Sequence, residues 1–148
     1  MKALVQRVTN AKITVASPPY EASIQGGLCV FLGVEEGDDH HQARWIAKKL
    51  ANLRVFRDDQ GKMNCSVLEI QGEILLISQF TLAGDCSKGN RPSFIRAAKP
   101  DIAEPLVTMV GELLQTEFAL KVKTGIFGAM MNIELNNDGP VTLLLERS

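Results

Sequence analysis

Apolar and polar positions alternate along much of the chain with the period of β-strands, while two other segments carry the period of a helix. Leu4 to Val15 interleaves β-branched and polar residues, which predicts two strands that turn near Thr9-Asn10. Leu28 to Val34 is almost continuously apolar, as in a strand buried on both faces. Glu73 to Phe80 predicts a further strong strand.

The first predicted helix begins at Asp38 or Asp39, either of which is a good N-cap. Its apolar face is formed by Ala43, Ile46, Ala47, Leu50 and Leu53. The second helix opens at Pro100-Asp101, with Glu104 in the position of a capping box. Its apolar face is formed by Ile102, Ala103, Leu106, Val107, Val110, Leu113 and Leu114.

Shorter apolar segments complete the pattern. Strands are predicted at Val55-Phe56, Leu120 to Lys123, Met130 to Leu135 and Val141 to Leu145, with Asn136 to Pro140 as the turn between the last two. The chain has no internal repeat and no linker. The sequence therefore predicts one α/β domain over residues 1–148, with mixed or antiparallel sheets and two main helices layered on one side.

Composition and charge narrow the class of protein. The apolar fraction is 45%, the charged fraction 22% and the net charge −1, so the chain is globular and its overall charge does not indicate a nucleic-acid partner. The three cysteines form no Cys-x-x-Cys pair, which disfavours a disulfide framework or a zinc site. No segment has the pattern of a signal peptide or a membrane span, so we expect a cytoplasmic protein without membrane contact.

Conventional catalytic patterns are missing from the chain. The only histidines, His40 and His41, stand at the start of the first helix and are predicted to be solvated. There is no Gly-x-Ser-x-Gly elbow, phosphate-binding loop or His-Glu-x-x-His motif. An enzyme built from this sequence would have to rely on backbone donors or on a group of the substrate.

Two short motifs, about 60 residues apart, distinguish the chain. They are Ser78-Gln79-Phe80-Thr81-Leu82 at the end of a strand and Asn137-Asp138-Gly139-Pro140-Val141-Thr142 at a predicted turn. Together they resemble the two signature motifs of the D-aminoacyl-tRNA deacylase family. Further similarity lies in Gln6-Arg7-Val8, Gly61 to Asn64, Arg91 to Phe94 and Thr124 to Met131, so the resemblance spans the chain.

The resemblance implies a homodimeric hydrolase that cleaves the ester bond of D-aminoacyl-tRNA without a metal or an organic cofactor. Ser78, Gln79, Phe80 and Thr81 would line the catalytic pocket, with backbone N–H groups near Phe80 and Thr81 as oxyanion donors. Thr81 would position groups rather than act as a nucleophile, because no base stands beside it. The 2′-hydroxyl of the terminal ribose would then help to activate water.

Chirality would be read by the other motif. In the family a Gly–cis-Pro pair from the second subunit forms a backbone wall against L-amino acids, which here would be Gly139-Pro140. A wall of backbone would accept many D-amino acids and also achiral glycine. Arg7 resembles the residue that braces this turn, and Phe127 and Met131 resemble those that hold the terminal adenine.

A local basic segment offers contacts to tRNA phosphates. From Gly84 to Pro100 the cations are Lys88, Arg91, Arg96 and Lys99, against only Asp85, which gives a local charge of +4 − 1 = +3. We expect these side chains to contact the acceptor stem without reading its sequence.

Residue chemistry alone leaves other interpretations open. Phe80, Phe127 and Met131 could be core residues, Arg7 a solvated strand residue, and Gly139-Pro140 an ordinary hairpin turn. The chain could accordingly be a non-catalytic domain that binds RNA or a small molecule, an editing deacylase for L-alanyl-tRNA, or a structural assembly subunit.

Overall fold

The computed structural model describes residues 1–148 and contains eight strands, two α-helices and one short 3₁₀ helix. In chain order they are β1 (Lys2–Val15), β2 (Tyr20–Ile24), β3 (Gly27–Gly33), α1 (His40–Asn52), β4 (Phe56–Arg57), β5 (Met63–Cys65), β6 (Glu73–Ser78), the 3₁₀ helix (Phe80–Ala83), α2 (Pro100–Thr116), β7 (Lys121–Thr124) and β8 (Met131–Glu146).

One six-stranded mixed sheet organises the molecule. Its order is β2-β1-β3-β6-β7, and β8 pairs along the other edge of β1. The strands β3, β6 and β7 are parallel, whereas β1 is antiparallel to each of its three partners. The crossovers between the parallel strands contain α1 and α2, which pack against each other. The predicted mixed α/β architecture with two main helices is confirmed.

Two apolar cores lie on opposite faces of this sheet because side chains alternate along each strand. On β6, Ile74 and Leu76 join the larger core with the helices, while Leu75 and Ile77 join a smaller core under β2 and β8. All four side chains are fully buried. The continuous apolar run in β3 is buried in the same way, as the sequence predicts for a central strand with parallel pairing.

Both turns predicted inside the longest strands are wrong. Thr9-Asn10 lies within the uninterrupted β1, and Asn136 to Pro140 lies within β8. The pairing of β1 with β8 instead shifts register twice, between Gln6 and Val8 and between Val8 and Asn10. Turn-forming residues are thus accommodated as β-bulges, because pairing over the full length of both strands outweighs the local turn propensity.

The helix starts differ in how they are capped. At α1, Asp39 accepts a hydrogen bond from the backbone N–H of His41 at 2.7 Å, and Gln42 closes a capping box. The capping box predicted for α2 is wrong, because the helix begins two residues earlier than an Asp101 cap requires. Its N-cap is Lys99, which has no acceptor, and Pro100 occupies the first turn.

Neither α-helix has the length and apolar character needed to span a bilayer.

Candidate active site

The first signature motif lies where the parallel strands β3 and β6 end. Leu32 pairs with Ser78, and the backbone N–H of Gln79 donates to the carbonyl of Leu32 at 2.8 Å. The chain then leaves the sheet in the 3₁₀ helix Phe80–Ala83. Ligands of open α/β sheets bind outside the carboxyl ends of parallel strands, so the motif occupies a favourable position for a site.

A cavity of about 540 Å³ opens at this edge of the sheet. Its lining is mostly apolar and comes from the ends of β3 and β6, the segment before α2, the first half of α2, the segment between β7 and β8, and the start of β8. The residues are Leu32, Val34, Ile77, Ser78, Gln79, Phe80, Ala97, Ala98, Pro100, Ala103, Val107, Phe127, Gly128, Ala129, Met130, Met131 and Ile133. Five predicted site residues, Ser78, Gln79, Phe80, Phe127 and Met131, therefore share one cavity.

Thr81 stands beside the cavity but is not part of its lining. Its hydroxyl accepts a hydrogen bond from the side-chain amide of Gln79 at 2.6 Å, so the two side chains hold one another. The first N–H groups of a helical segment have no partner within the helix, which leaves the N–H groups of Phe80 and Thr81 as donors. No histidine lies here, because His40 and His41 are exposed at the start of α1, as predicted.

The second motif forms a separate structural unit around Arg7. The Arg7 side chain is buried at 3% exposure and donates to the carbonyl of Asp138 at 3.1 Å and to that of Val55 at 2.6 Å. It also pairs with the Asp138 carboxylate at 3.2 Å. The guanidinium of Arg7 thus holds the bulged segment of β8 in place. Gly139-Pro140, whose peptide bond is cis, is left exposed on the surface.

Gly139 has no room for a side chain. Its φ is +129°, and a Cβ there would lie 2.9 Å from Nη2 of Arg7 and 3.0 Å from Cγ2 of Val141. Glycine is required both by the backbone conformation and by the close approach of the guanidinium.

Within one chain the two motifs do not meet. Arg7 pairs with Leu28 on β3, and Ser78 pairs with Leu32 of the same strand. Four residues of strand span roughly 13 Å. Neither Gly139 nor Pro140 lines the cavity.

The basic segment is divided by an ion pair. Nη2 of Arg96 lies 3.1 Å from Oε1 of Glu35, and the backbone N–H of Glu36 donates to the Arg96 carbonyl at 2.9 Å. This pairing fixes the segment that contributes Ala97 to the cavity wall. Lys88, Arg91 and Lys99 are exposed and take part in no ion pair.

Sequence reasoning missed the cavity wall from α2 and the segment before it. Four small apolar side chains of this wall have no reactive group that a motif search could detect: Ala97, Ala98, Ala103 and Val107. Their small size leaves space for the cavity, which only the structure reveals. Ala103 and Val107 lie on the predicted apolar face of α2, which here continues from the core into the site.

Reactive side chains elsewhere are not poised for catalysis. Burial raises the pKa of the Cys29 thiol to about 12, so this side chain stays neutral in the smaller core. Backbone hydrogen bonds from Lys62 and Gln60 hold the pKa of Asp58 below its usual range, and this carboxylate closes a surface turn. What the cavity offers is apolar surface, aromatic rings, hydroxyl and amide groups and backbone donors.

The fold and the site define an α/β protein with a mostly apolar cavity at the carboxyl ends of its parallel strands and with backbone N–H donors beside that cavity. The model of the D-Tyr-tRNA(Tyr) deacylase family matches residues 4–146. The chain therefore belongs to the D-aminoacyl-tRNA deacylase family, whose members are hydrolases of an ester bond and whose substrate is an aminoacyl-tRNA.

Individual relatives support the assignment to this family. A D-aminoacyl-tRNA deacylase of Geobacillus sp. (strain WCH70) is 51% identical over 99% of this chain and 95% of its own length. The corresponding protein of Thermus aquaticus is 49% identical over 100% of this chain and 96% of its own.

Solved structures show the same fold. A c-Myc DNA unwinding element binding protein superposes with a TM-score of 0.93 at 41% identity, over 100% of this chain and 99% of that one. A probable eukaryotic D-amino acid tRNA deacylase superposes with a TM-score of 0.83 at 15% identity, with 97% of each chain covered.

Proposed function

We propose that this protein hydrolyses the ester bond of D-aminoacyl-tRNA, releasing the D-amino acid and free tRNA, as a homodimer in the cytoplasm. The observation that carries the proposal is the single cavity that collects Ser78, Gln79, Phe80, Phe127 and Met131 at the end of β6. Its apolar surface suits a terminal adenosine, and its rim of backbone N–H groups suits an ester carbonyl.

The chemistry rests on backbone donors and on the substrate. The N–H groups of Phe80 and Thr81 have no partner within the 3₁₀ helix, so they can stabilise the oxyanion that forms when water attacks the carbonyl carbon. The 2′-hydroxyl of the terminal ribose helps to activate that water. The Thr81 hydroxyl is held by Gln79 and positions the loop, and neither a metal nor an organic cofactor is needed.

The terminal adenine lies against Phe127 and Met131. Both side chains are half-buried and line the cavity, and a flat base gains from contact with an aromatic ring and a polarizable thioether.

The chiral wall comes from a second copy of the chain. Gly139-Pro140 is exposed, is supported by Arg7 and is not part of the lining of its own chain's cavity, so we assign it to the cavity of the second copy. A two-fold axis brings each copy's Gly139-Pro140 to the other copy's cavity. The backbone wall excludes the side chain of an L-amino acid and lets glycine pass, so glycyl-tRNA is also a substrate.

The edge strand β8 supports a dimer. It is 16 residues long and pairs only with β1, so its outer edge is free. Leu143 and Leu144 point to opposite faces and are 39% and 51% exposed. Long free edges with exposed apolar residues are covered in most proteins, here by the second copy.

Lys88, Arg91 and Lys99 contact the phosphates of the acceptor stem, and Arg96 contributes less because Glu35 neutralises it. The charge of these side chains supplies affinity for any tRNA, and binding should weaken as salt rises.

The activity is tested with matched D-tyrosyl-tRNA and L-tyrosyl-tRNA, purified protein and a chelator. We expect rapid release of D-tyrosine only. No release from either substrate would favour a non-catalytic RNA-binding domain. Release from L-alanyl-tRNA and not from D-tyrosyl-tRNA would indicate the L-alanyl editing activity, and equal release from both tyrosyl substrates would refute the wall.

The two-copy site is tested by mixing variants. Phe127→Ala damages the cavity and Gly139→Ala damages the wall, and each homodimer should lose most of its activity. After unfolding and refolding together, half of the dimers are mixed, and each of these holds one intact site. We expect recovery of roughly a quarter of the wild-type rate. No recovery in dimers shown to be mixed would place both motifs in the same chain's site.

A further inference from the structure

Beside the cavity, two aromatic rings meet on the surface. The rings of Phe80 and Phe94 contact edge to face, with centroids 5.2 Å apart. Phe80 lines the cavity and is 58% exposed. Phe94 is 37% exposed, and its neighbour Ile95 is 84% exposed. The apolar surface of the cavity therefore continues outward over Phe94 and Ile95.

Backbone hydrogen bonds before and after Phe94 in the chain hold this residue in place. Before it, Asp85 and Ser93 exchange two backbone hydrogen bonds of 2.8 and 2.9 Å, which close the segment between them into a hairpin. After it, the N–H of Ala97 donates to the Phe94 carbonyl at 3.0 Å. A Cβ on Gly84 would lie 2.9 Å from the ring, so the ring rests directly on the Gly84 backbone.

The hairpin gives this surface a positive charge. Lys88 and Arg91 are exposed on it, and Lys99 is exposed just beyond Ile95. Its one carboxylate, Asp85, has its pKa lowered by hydrogen bonds from Ser87, chiefly from the backbone N–H, so its charge is engaged within the loop. An exposed aromatic ring between cations is the combination that proteins use to bind unpaired nucleotides.

We propose that Phe94, with Ile95 beside it, is a stacking platform for the unpaired cytidine that precedes the terminal adenosine of the substrate. The inference rests on the proposed function, since it takes the adenosine to lie in the cavity behind Phe80. The next base toward the acceptor stem then leaves the cavity over the Phe80 edge and meets the Phe94 ring. Lys88, Arg91 and Lys99 lie where its phosphates continue.

Two small substrates isolate this contact: the D-tyrosyl ester of adenosine and the D-tyrosyl ester of the dinucleotide cytidylyl-adenosine. They differ only by the cytidine and its phosphate. Base stacking on an aromatic ring changes affinity by roughly 5- to 140-fold. We expect KM of the wild-type protein to be at least fivefold lower for the dinucleotide ester.

The variants Phe94→Ala and Phe94→Leu remove the flat ring, and Leu keeps much of its apolar volume. We expect both to raise KM for the dinucleotide ester at least fivefold and to leave the adenosine ester unchanged. Phe94→Tyr keeps the ring and should behave as wild type. Met63→Ala, a change at an apolar side chain that is 60% exposed on β5, serves as the matched control.

Three results would overturn the platform: an equal loss on both esters, no loss on either, or a shift of Phe94→Leu toward monomer in sedimentation, which would make this surface a subunit contact. If the wild-type protein hydrolyses neither ester nor D-tyrosyl-tRNA, the proposed function fails and the platform fails with it.

Discussion

The two signature motifs have opposite structural character. Ser78-Gln79-Phe80-Thr81 follows the four buried central residues of the parallel strand β6 and opens into an apolar cavity made by its own chain. Gly139-Pro140 lies on a free edge strand, exposed, and is held by a buried cation beneath it. The first is an apolar recess and the second a supported projection, and in the proposed dimer the two would together form one site.

The two regions also differ in the interactions that fix their shape. The cavity is shaped by the packing of several chain segments, and Thr81, which lies outside its lining, is expected to tolerate substitution. The projection is shaped by one arginine and one glycine in contact, so each of these residues is expected to be indispensable.

The largest effect is expected from Arg7→Ala. The change leaves the Val55 carbonyl without its donor and opens a cavity beneath β8, so the free energy of unfolding should fall by roughly 3 kcal/mol. Urea unfolding measures it. Lys12→Ala, at an exposed ion pair with Glu21 on the same strand, should change it by less than about 1 kcal/mol. Equal losses in the two variants would show that Arg7 has no special structural role.

Gly139→Ala should lower the rate on D-tyrosyl-tRNA by about 100-fold while the protein stays folded. The new methyl group must displace the Arg7 guanidinium, and displacements of about 1 Å at a site cost on this order. Gly61→Ala is the matched control, because φ is also positive (+76°) but no neighbour lies within 4 Å. Unchanged rate and chirality in Gly139→Ala would remove the wall from the mechanism.

The strand β3 joins the two regions, and the buried thiol of Cys29 on this strand makes the free energy of unfolding depend on pH. Because burial raises the Cys29 pKa from 9.0 to about 12, the folded state favours the neutral thiol. Its stabilising contribution is complete below pH 9 and is lost as pH rises toward 12. We expect the free energy of unfolding to fall by about 1 kcal/mol per pH unit within this window.

Chemical denaturation at pH 8 and pH 10 measures the loss, and Cys29→Ala should remove this contribution. If the slope is the same in the variant, other groups account for the alkaline sensitivity.

Thr81→Ala should have the smallest effect, with a rate within about threefold of wild type. Its hydroxyl accepts a hydrogen bond from the Gln79 side chain. To act as a nucleophile, this hydroxyl would need a neighbouring base, and the site has none. Single-turnover hydrolysis of D-tyrosyl-tRNA is the measurement. Near-complete loss of activity in a correctly folded variant would restore Thr81 as the nucleophile.

The sequence predicts the central part of the fold well. The apolar run of β3 and the helical spacing of α1 and α2 depend on burial, which leaves a clear pattern in a single chain. The cavity lining from β6 and Phe127 could be predicted because the motifs carry family resemblance. Ala97, Ala98 and Ala103 could not, since small apolar residues look alike in a wall and in a core.

The errors are concentrated in β1 and β8 and have one cause. Thr9-Asn10 and Asn136 to Pro140 both have turn composition, yet they belong to two strands that pair with each other. The local sequence shows only the turn propensity of these residues. The bulge, in contrast, depends on pairing with a strand that lies more than 120 residues away in the chain. The same irregularity positions Gly139 over Arg7, so the wrong turn prediction falls on the element for which we propose a function.

The register shifts between β1 and β8 limit which insertions and deletions the chain can tolerate. One residue added to or removed from Asn136 to Pro140 would invert the facing of every later side chain in β8, moving Val141 and Leu145 from the core side to solvent. Only a compensating change opposite, around Gln6 to Asn10, would restore the alternation. The two segments lie more than 120 residues apart in the chain, and we expect them to keep their lengths together or to change them together.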